Sequence, residues 1–543
     1  MGSDPKKLDL LLSDLRSILE ADRVRTDYLE RALYSKDASL YSGEDPTAVC
    51  FPETTQELAD VVRICSERNW PFVARGSGTG LAGGAAPLSQ PSVPNADSGH
   101  KAATDTPIAD TTTSYNSPVP VVITTTKMNQ ILSVDGPNRI AWVQPGVLNL
   151  DLTRHVSQLG LHYAPDPSSQ QVCSIGGNVA TNSGGPHCLA YGVTSAHVIA
   201  LKVVLPDGSI ATLGNESPEP TGYDLRGAFV GSEGTLGIAA EIAVRLTPNP
   251  PAIKTLLAVF DSVSDGAATV SGIIAAGLVP SALEMMDNAA IGIVEAFTQA
   301  GLPTDAAAVL LVELDGLPQG LAQDEQLIRQ VATSHSVREI RTAADAQERE
   351  LFWKARKSAF GAVSRLAPDY YLHDTVVPRT RLVEVLDAVY EIANRHGLKV
   401  CNVFHAGDGN LHPLLSFDSR QDGVLARVAL AADEIVRASL AAGGVLSGEH
   451  GIGMEKRDYM GLMFTAADLA AQDKLRSCFD QKSLANPFKV IPSGSGCGDV
   501  SALSSGGKTA SGSGEVPALN SEDSTPLSPT VAINKPVPEG AWI

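Results

Sequence analysis

Seven cysteines lie scattered along 543 residues, and no two of them form a Cys-x-x-Cys pair. An odd count at irregular spacing is no disulfide framework, and it excludes a Cys-ligated iron–sulfur cluster or zinc knuckle of the usual spacing. Reduced thiols in a cytoplasmic protein are the simplest reading. Positive charge is also short: 41 Lys+Arg face 61 Asp+Glu, a formal net charge of −20, and no basic block interrupts the deficit. Such a balance argues against phosphate-backbone binding and removes nucleic acid as a partner. Long apolar runs are missing as well. The first twenty residues carry charge throughout, with no apolar core of the signal-peptide kind, and Lys6 breaks the myristoylation pattern. The longest uncharged candidate, 266–283, is laced with Gly, Ser, Thr and Pro280, so it reads as a buried helix followed by a strand. A soluble protein is expected.

What is present is globular: 43% hydrophobic and 19% charged residues, over a length that calls for roughly two to four domains. Leu8, Leu11, Leu12, Leu15 and Leu19 recur at helical spacing, so residues 1–45 open with an amphipathic helix. Thr54 can cap a second helix that turns Leu58, Val61, Val62 and Cys65 inward. Residues 70–74 read as a short buried strand feeding a glycine-rich loop. The stretch 89–120 is polar and rich in Pro and Thr, and 493–543 is rich in Ser, Gly and Pro; both are expected to be disordered. Strand signals resume at 119–127, 141–146, 198–213 and 237–248, and Asn249-Pro250-Pro251 marks a boundary. Beyond it, helices start near Ala267 and Gln323 around a strand at 308–314, an α+β pattern rather than a regular βαβ repeat.

Three small-residue loops fall in the segment 46–250. RGSGTGLAGG (75–84) ends a strand, and its glycines can turn successive N–H groups toward an anion. Gly78, Gly80 and Gly83 satisfy G-x-G-x-x-G, but the loop runs into Pro87 rather than into a helix, so the dinucleotide fingerprint is a false match. The other two are 168–185 and 222–238. Each alone reads as a turn; together they suggest a large planar ligand with a pyrophosphate.

FHAGDGNLHPLLSF places His405 and His412 either side of a turn. With 407–410 as the hairpin loop, His405 would sit opposite His412 on one face, about 5 Å apart at Cβ and able to share a divalent ion. Two core histidines beside a turn is the competing reading. SGEHGIGMEKR adds Glu449-His450, of which one could be a third ligand and the other a base. WKARKSAF sets Trp353, Lys354, Arg356 and Lys357 on a helix, ordinarily a solvated face.

The loops, in this order with APDPSSQ, resemble the glycolate oxidase flavoprotein subunit family over residues 48–492, with relatives among D-lactate and D-2-hydroxyglutarate dehydrogenases. That resemblance implies an α+β fold: a two-part FAD-binding domain of the p-cresol-methylhydroxylase type over 46–250, then an FAD-linked oxidase C-terminal α+β domain over 251–492. It implies that Arg75, Gly76, Ser77, Gly78, Thr79 and Gly80 bind the FAD pyrophosphate. Ser174, Gly176, Gly177, Asn178, Thr181, Gly184 and Gly185 would line the flavin, as would 231–238 with Glu233, Gly234 and Ile238. No histidine stands in the first loop, so FAD is expected to be non-covalent. His405, His412 and Glu449 match the family's metal ligands, for zinc first, with manganese or iron as alternatives. His450 matches its proton acceptor, Arg356 its substrate-carboxylate arginine, and Asn410 is counted with the catalytic residues. Leu372 and His373 stand where dicarboxylate-using relatives carry a lysine, which favours a small monocarboxylate.

The activity implied is FAD-dependent oxidation of a short 2-hydroxy acid, glycolate first, to the 2-keto acid. With no Cys-ligated cluster of its own, the chain would pass electrons to a second flavin-fold subunit and an iron–sulfur subunit, and would meet the membrane only through these partners. The alternative is a stand-alone D-lactate dehydrogenase serving a cytochrome or another carrier. A metal-dependent hydrolase without flavin, and a non-catalytic FAD-holding subunit, are the rivals from other classes.

Overall fold

The computed structural model describes residues 5–89, 117–217 and 221–492. The expectations of disorder for most of 89–120 and for 493–543 fall outside the described residues. Of the first stretch, Ser89 is described and donates to Glu44 through its backbone N–H (2.8 Å) and its hydroxyl (2.6 Å). The Val119 carbonyl accepts from Trp70 Nε1 (2.9 Å).

Helix α1 (Pro5–Ile18) buries Leu11 and Leu15, and Leu19 just beyond it, as the spacing predicts. Strand β1 (Val24–Arg25) and β2 (Val49–Cys50) lead to α2 (Thr55–Glu67), whose cap is Thr54, accepting from Glu57 N at 3.1 Å. Next come β3 (Phe72–Arg75) and β4 (Val121–Thr124). These strands form a four-stranded sheet in the order β1-β2-β4-β3, with β2, β4 and β3 parallel. Five further strands before residue 250, β5 (Ile131–Asp135), β6 (Ile140–Val143), β7 (Val198–Val204), β8 (Ile210–Gly214) and β9 (Ile238–Arg245), form an antiparallel sheet ordered β5-β6-β9-β7-β8, and Leu161–His162 pairs separately with Thr247–Pro248. Between β6 and β7, helix α3 (Ile175–Thr181) starts at Ser174, whose hydroxyl accepts from Gly177 N.

A nine-stranded sheet begins at β10 (Ala252–Phe260). It is followed by α4 (Val263–Ala275), β11 (Ala282–Asp287) and β12 (Ala308–Gly316), so the uncharged stretch 266–283 is the expected helix and strand. Among the described residues no helix is long and apolar enough to cross a membrane. The helix expected from Gln323 starts five residues earlier, α5 (Pro318–Ser334), because Pro318 fits its first turn. Then follow β13 (Glu339–Thr342), α6 (Ala346–Lys357), β14 (Asp369–Leu372), β15 (Thr375–Val376) and α7 (Leu382–Arg395). The last strands are β16 (Lys399–His405), β17 (Asn410–Leu411) and β18 (Pro413–Phe417), and α8 (Val424–Ala441) packs on α7. The sheet runs β13-β10-β12-β11-β16-β17-β15, with β18 pairing β16 and β14. The architecture is the α+β arrangement expected.

The chain then returns to the first sheet. Phe72 N donates to the Leu484 carbonyl (2.9 Å) and Asn486 N to the Phe72 carbonyl (2.8 Å). The buried Asn486 side chain donates to the carbonyls of Gly84 (2.9 Å) and Glu233 (2.7 Å), joining two of the small-residue loops. Asn486 holds a left-handed φ of 41°, which asparagine tolerates and alanine does not. Asn486→Ala should therefore cost about 2–4 kcal/mol, from strain plus two carbonyls left without a donor. Urea unfolding of the two proteins measures it; an unchanged midpoint would show that the loops do not depend on this side chain.

Candidate active site

A cavity of about 470 Å³ lies where the small-residue loops meet the large sheet. Ser77, Gly78, Thr79, Gly80, Ser174, Gly177, Asn178, Thr181, Glu233 and Gly234 line it, together with Gly76, Lys357, Phe360, Tyr370, Leu372, Glu449 and His450. The loop after β3 suits an anion: among the described residues no backbone carbonyl takes up the N–H groups of Ser77, Gly78, Thr79 or Gly80. Gly76 is needed because a Cβ there would sit 2.4 Å from Ser174 Oγ. Arg75, Gly176 and Ile238 face a smaller adjoining cavity of about 60 Å³. Arg75 turns to the N-terminal segment, donating to the Lys36 carbonyl (2.8 Å) over the Tyr34 ring. Gly184 and Gly185 line neither cavity; Gly184 lets Glu449 approach, since a Cβ there would meet its Oε2 at 3.0 Å.

The hairpin brings His405 and His412 together by a different register from the one expected. Residues 406–409 form the turn and His405 pairs with Asn410, while Asn402 pairs with Pro413. Counting along that register sets His412 level with Val403, two positions from His405. A shift of two keeps the face, and the rings lie 5.1 Å apart between centroids. Glu449 Oε1 lies 3.3 Å from His405 Nε2 and 3.1 Å from His412 Nε2. His405 Nδ1 donates to both oxygens of Glu284 (2.8 and 2.9 Å), and His412 Nδ1 donates to the His373 carbonyl (3.1 Å). With both Nδ1 atoms committed as donors, two Nε2 atoms and a carboxylate face one another, an arrangement that a proton or a metal cation completes. Ligand atoms of His405, His412 and Glu449 all lie within 4.8 Å of one another, as do those of Asp374, His412 and His450.

The charges agree with this. Burial opposes ionisation of Glu449, but His405 and His412 hold its carboxyl well below the ordinary range. Burial likewise opposes a charged His405, yet Glu284 and Glu449 raise it well above the usual imidazole value. That field would favour a metal ion as much as a proton. His450 stacks on His412 with ring centroids 5.1 Å apart and planes 6° apart. Burial pushes its pKa down to about 4, so its imidazole is neutral near pH 7, and Nδ1 has no hydrogen-bond partner among the described residues. Asn410 is buried against Gly448, beside this loop.

Arg356 reaches the cluster differently from the expectation. It lies on the inward face of α6 with no exposed surface, 2.6 Å from Glu284 Oε2, and does not line the cavity. Two positioning residues were not legible in the sequence. Glu284 braces His405 from β11; its one signal is a lone acid inside the apolar run SALEMM. Asp374 accepts from Ser447 Oγ (2.6 Å) and from the backbone N–H groups of Gly448, Glu449 and His450.

Comparison with known proteins agrees with the geometry. The family described as FAD linked oxidases, C-terminal domain, matches residues 249–490, and the FAD binding domain family matches 46–92 and 109–214. The glycolate oxidase subunit GlcD of Escherichia coli K12 is 39% identical over 84% of this chain and 86% of its own. GlcD of Bacillus subtilis 168 is also 39% identical, over 85% and 92%. A D-lactate dehydrogenase of Anaerostipes hadrus is 29% identical over 88% and 94%. In fold the chain is similar to p-cresol methylhydroxylase, with a TM-score of 0.73 at 15% identity over 90% of this chain and 98% of that one. The flavin-free hydrolase finds no support in these matches.

A second polar cluster borders the cavity. Asp166 accepts from His187 Nδ1 (2.9 Å) and lies 3.2 Å from Lys357 Nζ; His187 Nε2 faces Glu313 (3.2 Å), which also accepts from Arg349 and Trp353. Burial disfavours the charged imidazole, but Asp166 and Glu313 raise His187 to about 10. A raised pKa stabilises the fold fully below the ordinary value near 6.5 and ceases to do so as pH climbs through about 10. The thermal midpoint should therefore fall across that window, and His187→Gln should begin lower at pH 7 and fall less. Parallel curves for the two proteins would exclude a charged His187.

Proposed function

The chain belongs to the FAD-linked oxidase family that includes the glycolate oxidase subunit GlcD; from that premise we propose that it oxidises a short 2-hydroxy acid, glycolate first, to the 2-keto acid. The observation that carries this reading is the convergence of His405, His412, Glu449 and His450 on the wall of a cavity that the small-residue loops complete. FAD, when bound, would supply a two-electron acceptor for the hydride equivalent of the substrate carbon. The unclaimed N–H groups of 77–80 suit its pyrophosphate, and Ser174, Gly177, Asn178, Thr181, Glu233 and Gly234 its ring system. No histidine occurs in that loop, so the cofactor is held without a covalent bond.

His405, His412 and Glu449 would hold a divalent metal, zinc before manganese or iron, which supplies Lewis acidity to the substrate oxygens. His450, neutral and with Nδ1 free of protein partners, takes the hydroxyl proton. Arg356 acts through Glu284, fixing the orientation of His405, and Asn410 supports the 447–450 loop. Phe360, Tyr370 and Leu372 give the cavity an apolar wall fitted to a small monocarboxylate. Electrons would leave to a second flavin-fold subunit and an iron–sulfur subunit, with the chain cytoplasmic and at the membrane only through them. A stand-alone D-lactate dehydrogenase is the second reading, favoured by relatives of that name.

Anaerobic mixing with glycolate, D-lactate, L-lactate and D-2-hydroxyglutarate tests the reading by bleaching of the flavin band. Bleaching by glycolate is expected; bleaching by D-lactate alone selects the second reading, and none with any acid overturns both. Acid precipitation should release FAD into the supernatant, whereas yellow colour kept by the denatured pellet would refute non-covalent binding. His450→Ala should keep FAD and metal while bleaching slows by about 10²–10⁴-fold. His405→Ala and Glu449→Ala should lose metal as well as rate. Metal lost from His450→Ala but kept by His405→Ala would reverse the assigned roles.

A further inference from the structure

The loop that carries Glu449 and His450 has no regular structure and hangs between two anchors. Asp374 holds its first half through the backbone N–H groups of Gly448, Glu449 and His450. The second half is held from the small-residue loops. Glu233 Oε1 accepts from Ile452 N (2.7 Å) and Oε2 from Gly453 N (2.9 Å), and the Ala82 carbonyl accepts from Met454 N (2.8 Å). The fit is close: a Cβ on Gly451 would stand 2.7 Å from Glu233 Oε1.

Glu233 is tied on both sides. Together with Gly234 it lines the cavity, its N–H donates to the Ala180 carbonyl at the end of α3 (2.8 Å), and its own carbonyl accepts from Asn486 Nδ2 (2.7 Å). Its carboxylate is spent on residues 452 and 453. The residue is buried and its φ is 52°, in the left-handed region, which a side chain with a Cβ occupies only where its surroundings hold it there. Loss of the hold on either side lets Glu233 relax toward an ordinary φ, and the contacts on the other side shift with it.

We propose that Glu233 is a positioning residue that couples two binding sites, FAD in the cavity and a divalent metal on His405, His412 and Glu449. The inference rests on the oxidase reading above. A cofactor against residues 233 and 234 fixes the origin of the carboxylate. A metal on Glu449 fixes the chain that reaches Ile452 three residues later. Each ligand thus orders one side of the same two hydrogen bonds, and the second ligand to bind finds them already formed. Each then strengthens the other by the same factor, as linkage requires.

The test uses the full chain loaded with FAD and zinc, and reads the FAD dissociation constant from the rise in flavin fluorescence on dilution. Removing zinc with EDTA should weaken FAD binding by about 10-fold, and returned zinc should restore it. Glu233→Gly permits the left-handed φ and removes the carboxylate. In that variant zinc should change the FAD dissociation constant by less than about twofold. Glu233→Gln sets an amide against the two N–H donors and should lose most of the effect as well. The ratio with and without zinc is what decides. A residue that merely supports the cavity would weaken FAD equally in both conditions and keep the wild-type ratio, which would overturn the proposal. A wild type whose FAD affinity ignores zinc would overturn it too. Should Glu233→Gly not fold, Glu233→Gln decides by the same ratio. A wild type that takes up no FAD or no zinc would instead overturn the parent reading, and this inference with it.

Discussion

One buried carboxylate fixes the geometry of the site. Asp374 gathers the backbone N–H groups of Gly448, Glu449 and His450, the Ser447 hydroxyl and the Lys456 ammonium around two oxygens. The three backbone N–H groups would otherwise be left unmet on a loop with no regular structure, which is expensive in a buried position. Burial alone would protonate Asp374; the Lys456 ammonium holds it ionised, well below the ordinary range. These bonds define the conformation of the loop. That conformation turns Glu449 toward the two histidines of the hairpin and stacks His450 on His412.

The same loop is tied to the glycine-loop half of the protein by Glu233. Its carboxylate accepts from Ile452 N (2.7 Å) and Gly453 N (2.9 Å), just beyond His450. Burial pushes Glu233 up to about 7 while these two N–H groups pull it down. Asn486, from the last described segment, holds the Glu233 carbonyl as well. Residues far apart in the chain thus meet around a few carboxylates and amides. The cavity keeps its shape because the groups on both sides share the same hydrogen-bond partners.

This division explains what the sequence could reveal. Repeating patterns were readable: leucines at helical spacing, Thr54 as a cap, alternating strands, and glycines where no side chain fits. His405 and His412 could be placed on one face even with the hairpin loop put one residue late at each end, because the resulting shift of two preserves side-chain direction. Glu284 and Asp374 could not be found this way. They stand 121 and 74 residues from the groups they hold, and nothing local distinguishes them from ordinary acids in a strand or a turn. Arg356 shows the converse limit: its position in WKAR matches the family pattern, but the helix phase that buries Phe352 and Ala355 seals the arginine too.

Electrostatics link the site to the composition of the whole chain. A protein carrying a net charge of −20 must bind an anionic substrate, and a pyrophosphate, against its own field. The residues that line the main cavity carry little formal positive charge. Backbone N–H groups at 77–80 face the space above β3, while Arg75 turns away from it, so dipoles rather than cations are what an anion would meet there. Fixed dipoles keep their direction when the site is empty, so little reorganisation is needed on binding. A flexible basic patch would offer more charge and less direction. In a strongly acidic protein it would also neutralise itself against neighbouring carboxylates before any substrate arrived.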